Sequence, residues 1–336
     1  MTQSYSLLSN ARITAIGSYV PESILSNADL EKMVETDHEW IVRRTGIEER
    51  RIAAPDEFSS DLCIQAVADL QRRYDVQLDD VDYIIVATTT PDSPFPSTSA
   101  RLQQAFGMNC SGAIDLQAAC AGFTAALQNA NGLLLSGAAR KVLVVGADTM
   151  SKITDYTDRS TCILFGDGAG ALLLEAEEGR EGDLLASYSV TTGSGGHHVY
   201  LTGLSEVVGE HKLENPGKVV QNGREVYKWA VGTVPEGVEK LLERAHLQVE
   251  DLDWFVPHSA NLRIVESICE RTGIPMERSL VSLVKYGNTS SASIPLALDL
   301  AVREGRLEPG QLMLLYGFGA GLTQAGVIVR WSLPKA

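Results

Sequence analysis

Short apolar runs rich in β-branched residues alternate along the chain with longer segments in which apolar positions recur every three or four residues. The first pattern predicts strands and the second amphipathic helices, so the chain reads as α/β with crossover helices. The runs also recur at a fixed spacing. Leu78–Tyr83 followed by Ile84–Val86 resembles Val249–Trp254 followed by Phe255–Val256, displaced by 171 residues. Lys141–Ala147 resembles Gln311–Gly317 at 170, and Ile13–Val20 resembles Leu184–Val190 at 170 by its end. Each half closes on an apolar run, Ala169–Leu174 and Gly326–Val329, here displaced by about 155 because the first half carries extra residues around Asp155–Ser160. Three agreeing offsets imply two copies of one βα-rich unit, 1–178 and 179–336, with a natural site between them. Repeats this long are not those of a solenoid. The extra residues form a candidate loop for binding or dimer contacts. Gly193–Gly217, glycine-rich and without periodicity, is expected to be the most flexible stretch.

The 336 residues suffice for two domains or one doubled fold, and 44% hydrophobic with 21% charged residues excludes a disordered or fibrous chain. Lys plus Arg number 28 against 43 Asp plus Glu, a net charge of -15 that repels phosphate backbones and disfavours nucleic acid as a partner, although a local basic patch remains compatible with it. No apolar run approaches the length of a membrane span, and Met1–Ser9 lacks the basic start and apolar core of a signal peptide. No membrane partner and a cytoplasmic location are therefore expected. The five cysteines (Cys63, Cys110, Cys120, Cys162, Cys269) are odd in number and without a CxxC pair, which fits neither a disulfide framework nor a zinc site.

Three residues stand where chemistry is expected. Cys120 lies where an extended run, Asp115–Ala119, turns into an alanine-rich helical pattern reaching Leu135. A thiol at a helix N-terminus has its thiolate favoured by the dipole and the free amides; the competing reading is a small residue packed under the helix. His258 ends the strand pattern Trp254–Pro257, placed either to reach a cleft or to satisfy a structural hydrogen bond. Asn288 sits where a strand-like run turns into a helix, a position that also suits a cap or turn. Cys120 and Asn288 are 168 apart, near equivalence in the two copies, so both are expected to face one central cleft with His258 beside them. Gly166-Asp-Gly-Ala-Gly170 is followed by a strand-like run, so it reads as a tight turn between strands and not as a dinucleotide loop. His197 and His198 are adjacent, a spacing that does not put both on one metal.

Together, Ala118-Ala-Cys120-Ala-Gly-Phe, Val256-Pro-His258-Ser-Ala-Asn261-Leu-Arg263 and Tyr286-Gly-Asn288-Thr-Ser resemble the 3-oxoacyl-[acyl-carrier-protein] synthase III family, over nearly the whole chain. Asp37-His-Glu-Trp40-Ile-Val-Arg-Arg44, Phe95-Pro-Ser-Thr and Phe165-Gly-Asp-Gly-Ala-Gly add to the likeness. The resemblance implies the thiolase-like fold, internally duplicated and five-layered (αβαβα), working as a homodimer. It implies that Cys120 takes an acyl group from acyl-CoA, and that malonyl-acyl carrier protein, decarboxylating with help from His258 and Asn288, attacks the thioester to give 3-oxoacyl carrier protein. No metal and no cofactor beyond the CoA thioester substrate is implied. The same likeness assigns an oxyanion hole to the backbone of Cys120 and Ala320, CoA contacts to Trp40, Arg44, Arg159 and Asn261, and the partner's acyl pocket to Phe95. Carrier docking falls to Lys228, Arg263 and Arg271. Two residues depart from the family, Ala320 for the usual glycine and Ser259 for a common glutamine. Thr157-Asp-Arg-Ser-Thr and Asn222-Gly-Arg-Glu-Val-Tyr-Lys228 most resemble isozymes that take branched primers, and the Gly317–Gly321 run resembles polyketide synthases, which share Cys, His and Asn. Acyl transfer or condensation in specialised, polyketide-like metabolism on the same fold is thus the alternative reading. An inactive acyl-binding homologue would not need all three residues.

Overall fold

The computed structural model describes residues 9–109, 111–179, 181–213 and 217–335; Cys110 and all of the N-terminal segment but Ser9 lie outside them. Nine strands build two main sheets. In the first half they are β1 (Ala11–Tyr19), β2 (Tyr83–Ala87), β3 (Gly112–Leu116), β4 (Lys141–Thr149) and β5 (Asp167–Ala176), in the order β1-β5-β4-β2-β3. In the second half β6 (Leu184–Thr191), β7 (Trp254–Pro257), β8 (Leu312–Gly319) and β9 (Thr323–Arg330) stand in the order β6-β9-β8-β7. The two orders match element for element, and a parallel bridge from Phe255 to Ser279 occupies the place of β3. Register matches as well: Lys141 opposes Glu175 as Leu312 opposes Arg330.

Alternation along the strands sets the layers. In β4, Val142 and Val144 face the centre of the molecule while Leu143 and Val145 face outward onto the helix α1 (Ser59–Tyr74). In β8, Met313 and Leu315 face the centre, and Leu314 and Tyr316 face α3 (Gly223–Ala245) and α4 (Leu262–Thr272). Between the sheets lie α2 (Gly122–Leu135) and α5 (Ser293–Arg303), whose Phe123, Leu127, Ile294 and Leu298 share one core with both inner faces. Both sheets are thus covered on both sides, giving helix, sheet, helix pair, sheet, helix.

The structure corrects some expectations and gives form to others. Asp167-Gly-Ala-Gly170 is no turn: it is the start of β5. The bare Cα positions serve close packing, since a Cβ on Gly166 would stand 2.1 Å from Tyr286 O and one on Gly170 2.6 Å from Pro295 Cβ. The connection between β4 and β5, residues 150–166, is where the first half is longer, against residues 320–322 between β8 and β9; it folds into a 3₁₀ turn and a short helix, Arg159–Cys162. Gly193–Gly217 carries a 3₁₀ segment and short strands in two small sheets, although Glu214–Pro216 lie outside the described residues. The residues before Asn288 form one helical turn, Leu283–Tyr286, instead of a strand.

The packing yields a paired prediction. A Cβ on Gly146 of β4 would lie 2.5 Å from Ser291 O, whereas one on Gly132 in α2 meets nothing within 4 Å. Gly146→Ala should cost about 1–3 kcal/mol, as overpacking does, and Gly132→Ala should gain about 0.5–1 kcal/mol from helix entropy. Urea midpoints of the two variants moving in the same direction would contradict the packing described.

Candidate active site

The connection from β3 to α2 passes through Ala119, whose backbone is left-handed (φ 46°), into a 3₁₀ turn over Ala119–Ala121. A non-glycine residue in this region costs about 1–2 kcal/mol, and here the bend sets Cys120 half-buried on the floor of a cavity. The second half repeats the device 171 residues later: Ser290 is left-handed (φ 51°) and begins the 3₁₀ turn Ser290–Ala292 before α5. The structural counterpart of Cys120 is therefore Ser291. This corrects the expected equivalence of Cys120 and Asn288, although both do face one cavity.

Cys120 Sγ donates to Ser290 Oγ at 3.7 Å. Gly319, at the end of β8, leaves room for the thiol, since a Cβ there would be 2.9 Å from Cys120 Cβ and 3.1 Å from Sγ. His258 follows β7; its backbone N donates to Tyr316 O at 2.8 Å, its ring meets Phe318 edge-on at 5.4 Å, and Nδ1 lies 2.7 Å from Ser293 Oγ. Asn288 is fixed at both backbone groups, its N donating to Leu164 O and its O accepting from Gly166 N. Its Oδ1 accepts from Ser290 N at 2.9 Å, so the amide NH₂ is the end left to face the cavity. Ala320 also lines the cavity and is not among the described non-glycine residues with positive φ, so its backbone accepts the Cβ that a glycine would lack. Ser259 is buried, its hydroxyl accepting from Ser282 N at 3.0 Å.

The electrostatics differ from the expectation of an activated thiolate. Burial pushes the Cys120 thiol up to about 12, the Ser290 hydrogen bond pulling it the other way. Burial likewise holds His258 down to about 3. Removing both groups from bulk water penalises their charged forms more than the helix N-terminus and neighbouring hydroxyls favour them, so the free site holds a thiol and a neutral imidazole.

The cavity, about 1300 Å³, opens between the starts of α3 and α4. Trp40, Arg44, Arg159 and Asn261 all line it. The Arg159 guanidinium covers the Trp40 ring at 5.1 Å and donates to Glu35 O at 3.0 Å. Asn261 caps α4 by accepting from Arg263 N and ties it to Arg44 O at 3.2 Å. Lys228, paired with Glu225 at 2.7 Å, and Arg263 reach the mouth, but Arg271, two turns along α4, does not, so the three expected docking cations are not one cluster. Phe95 is 85% exposed and outside this chain's cavity. Sequence reasoning missed Arg224, which lines the mouth one helical turn before Lys228 and was legible from that i, i+4 spacing. It also missed Ser290, Ser293 and the edge-on contact of Phe318 with His258, which exist only through contacts across the fold. The cationic mouth above an apolar interior suits a phosphorylated ligand with an apolar end.

Comparison with known proteins agrees with this geometry. Residues 114–193 match the family model described as 3-oxoacyl-[acyl-carrier-protein] synthase III, and residues 242–331 match its C-terminal counterpart. The chain is 59% identical over 327 residues to beta-ketoacyl-[acyl-carrier-protein] synthase III 2 of Halalkalibacterium halodurans, covering 97% of this chain and 98% of that one. Among solved structures it is similar to the beta-ketoacyl-[acyl carrier protein] synthase III of Thermus thermophilus, at 45% identity and TM-score 0.91 over 97% of this chain and all of that chain. A priming beta-ketosynthase from the R1128 polyketide biosynthetic pathway is 36% identical, with TM-score 0.88 and 98% of each chain covered.

Two measurements check the electrostatics. Cys63, Cys162 and Cys269 are buried, so iodoacetamide should modify Cys120 ahead of them. Its rate should climb about tenfold per pH unit to beyond pH 9, following the thiolate fraction; a plateau below pH 8 would mean that the helix dipole outweighs burial. For His258, the unfolded ring gains its proton near the usual value of about 6.5 while the folded ring resists until about 3, so folding stability falls as pH drops through that window. His258→Gln should flatten the slope of unfolding free energy against pH by up to about 1.4 kcal/mol per unit between pH 6 and 4, and equal slopes would refute the assignment.

Proposed function

The chain belongs to the 3-oxoacyl-[acyl-carrier-protein] synthase III family, and on that premise we propose that Cys120, His258 and Asn288 carry out the initiating condensation of fatty acid synthesis within the one cavity they share. That convergence is the observation that carries the reading. An acyl-CoA enters with its phosphates among Arg44, Arg159 and Arg224 at the mouth, its adenine against Trp40 beside Asn261, and its acyl end inward. Cys120 Sγ attacks the thioester carbonyl, and the backbone N–H groups of Cys120 and Ala320 take the oxyanion. The carbon–sulfur bond to CoA breaks and the thiol proton leaves with CoA, giving acyl-Cys120 and free CoA.

Malonyl-acyl carrier protein then occupies the vacated channel. Its carboxylate leaves as carbon dioxide, the electron pair of the broken carbon–carbon bond forms an enolate, and the His258 and Asn288 N–H donors hold the charge on the thioester oxygen. The enolate carbon attacks acyl-Cys120; the carbon–sulfur bond breaks, the thiolate recovers a proton from solvent, and 3-oxoacyl carrier protein is released. No step calls for a metal or a cofactor beyond the CoA thioester.

The acidic carrier docks on Lys228 and Arg263, with Arg271 an outlying contact. Two protomers pair through β3, which is the edge of its sheet and exposes Ile114, so that Phe95 of each reaches the other's acyl pocket. The halves 1–178 and 179–336 are copies of one unit, divided between β5 and β6. Among the described residues no helix is long and apolar enough to cross a membrane, and we place the enzyme in the cytoplasm. The likeness to a polyketide priming synthase supports a second reading, in which the same condensation starts a specialised metabolite.

Incubation with acetyl-, isobutyryl- or isovaleryl-CoA should add one acyl group to Cys120 by peptide mass, ranking the primers, and malonyl carrier protein should discharge it as a 3-oxoacyl product. Cys120→Ala should take no label. Acylation without condensation would favour a bare acyltransferase, and no adduct from any acyl-CoA would sink the initiating role.

A further inference from the structure

The contacts of Ser293 bear on which nitrogen of His258 carries the proton. Ser293 opens α5 and is wholly buried. Its Oγ has two neighbours, His258 Nδ1 at 2.7 Å and the backbone N of Ser259 at 3.4 Å. The Ser259 N–H can only donate, so Oγ accepts there. Among the described residues no other acceptor lies within hydrogen-bond distance of Oγ, so the buried hydroxyl proton is satisfied only if Nδ1 accepts it. A nitrogen that accepts has no hydrogen, and the single proton of a neutral ring then sits on Nε2.

The Ser293 backbone is itself held beneath the ring. Ser293 O accepts from Ser282 Oγ at 3.0 Å, and Ser282 N donates to Ser259 Oγ at 3.0 Å, so three buried serines close a ring of contacts beneath the imidazole. Ser259, which departs from the family's usual glutamine, is one of the three.

We propose that Ser293 is a positioning residue that fixes His258 as its Nε2–H tautomer, making the ring a hydrogen-bond donor to the cavity and not a proton acceptor for Cys120. Resting on the functional reading above, this divides the two half-reactions. When the malonyl carbon–carbon bond breaks and its electron pair moves onto the thioester oxygen, the Nε2–H donor meets the new charge. When Cys120 attacks acyl-CoA, its thiol proton passes to the departing CoA sulfur without resting on His258.

The full-length protein labelled with ¹⁵N-histidine tests the tautomer directly, by long-range ¹H–¹⁵N correlation at neutral pH, with His258 assigned by its loss in His258→Gln. The expected pattern is Nε2 protonated and Nδ1 bare in the wild type and in Ser293→Thr. An Nδ1–H pattern in the wild type overturns the proposal whatever the protein catalyses. In kinetics, Ser293→Ala should slow malonyl-carrier decarboxylation about 10- to 100-fold while acyl transfer from acyl-CoA to Cys120 slows less than about threefold, and Ser293→Thr should recover most of the loss. Equal losses in both half-reactions, or a loss that threonine does not recover, overturn it too. A wild type that neither acylates nor decarboxylates would defeat the functional reading instead, and the tautomer pattern would still decide this one.

Discussion

The molecule depends on one reciprocal contact. Each half presses a 3₁₀ turn that opens on a left-handed residue onto a glycine in the other half's central strand. Gly146 of β4 receives Ser291, and Gly317 of β8, 171 residues later, receives Cys120 and Ala121, where a Cβ would stand 2.7 Å from Ala121 Cα. Backbone approaches this close tolerate no side chain, and interiors packed at crystal density have little slack to shift. The contact seats α2 and α5 side by side between the sheets and brings the two turns together. It also confines the left-handed cost at Ala119 and Ser290 to the two places where the surrounding packing can impose it.

The two turns are equivalent in backbone and opposite in chemistry. At the end of β4, Asp148 is wholly buried and accepts hydrogen bonds from Thr88, Thr89 and Thr90 on one oxygen and from the N and Oγ of Ser291 on the other. The position 171 residues later is Gly319, and Ser291 is matched by Cys120. One copy of the device is therefore sealed by a satisfied carboxylate, while the other leaves the thiol lining the cavity. Both results serve the same site: the sealed copy pins the turn whose Ser290 orients Asn288 and contacts Cys120.

What could be read from the sequence follows from this geometry. The duplication was legible because buried strands keep their apolar runs at constant spacing, and the displacement of about 155 at the last strand correctly flagged the longer β4–β5 connection that carries Arg159. Cys120, His258 and Asn288 stood out because each lies at an element boundary. Less visible was anything settled by contact between the halves. The glycines of Gly166–Gly170 looked like a turn because the tyrosine and proline they make room for are over 100 residues away. Serine patterns carry no signal for a hydroxyl aimed at one imidazole nitrogen. A helix start, which favours the thiolate, is visible in sequence, whereas the desolvation that opposes it and pushes the thiol up is a property of the assembled cavity.

That desolvation has a chemical logic in the proposed reaction. A charged His258 would form an ion pair with the malonyl carboxylate, lowering the energy of the ground state and so raising the barrier to losing carbon dioxide. A buried, neutral ring offers that carboxylate only a dipole. In the proposed reaction the charge would be stabilised once it has moved to the thioester oxygen, by the His258 and Asn288 N–H groups, with little reorganisation. The cations that an anionic ligand does require stand at the mouth, on Arg44, Arg159, Arg224 and Arg263, and away from the reacting carbon. Binding charge and reacting charge are thus separated along the depth of one cavity. Burial, which pushes the Cys120 thiol up and the His258 ring down, works in the same direction as that separation.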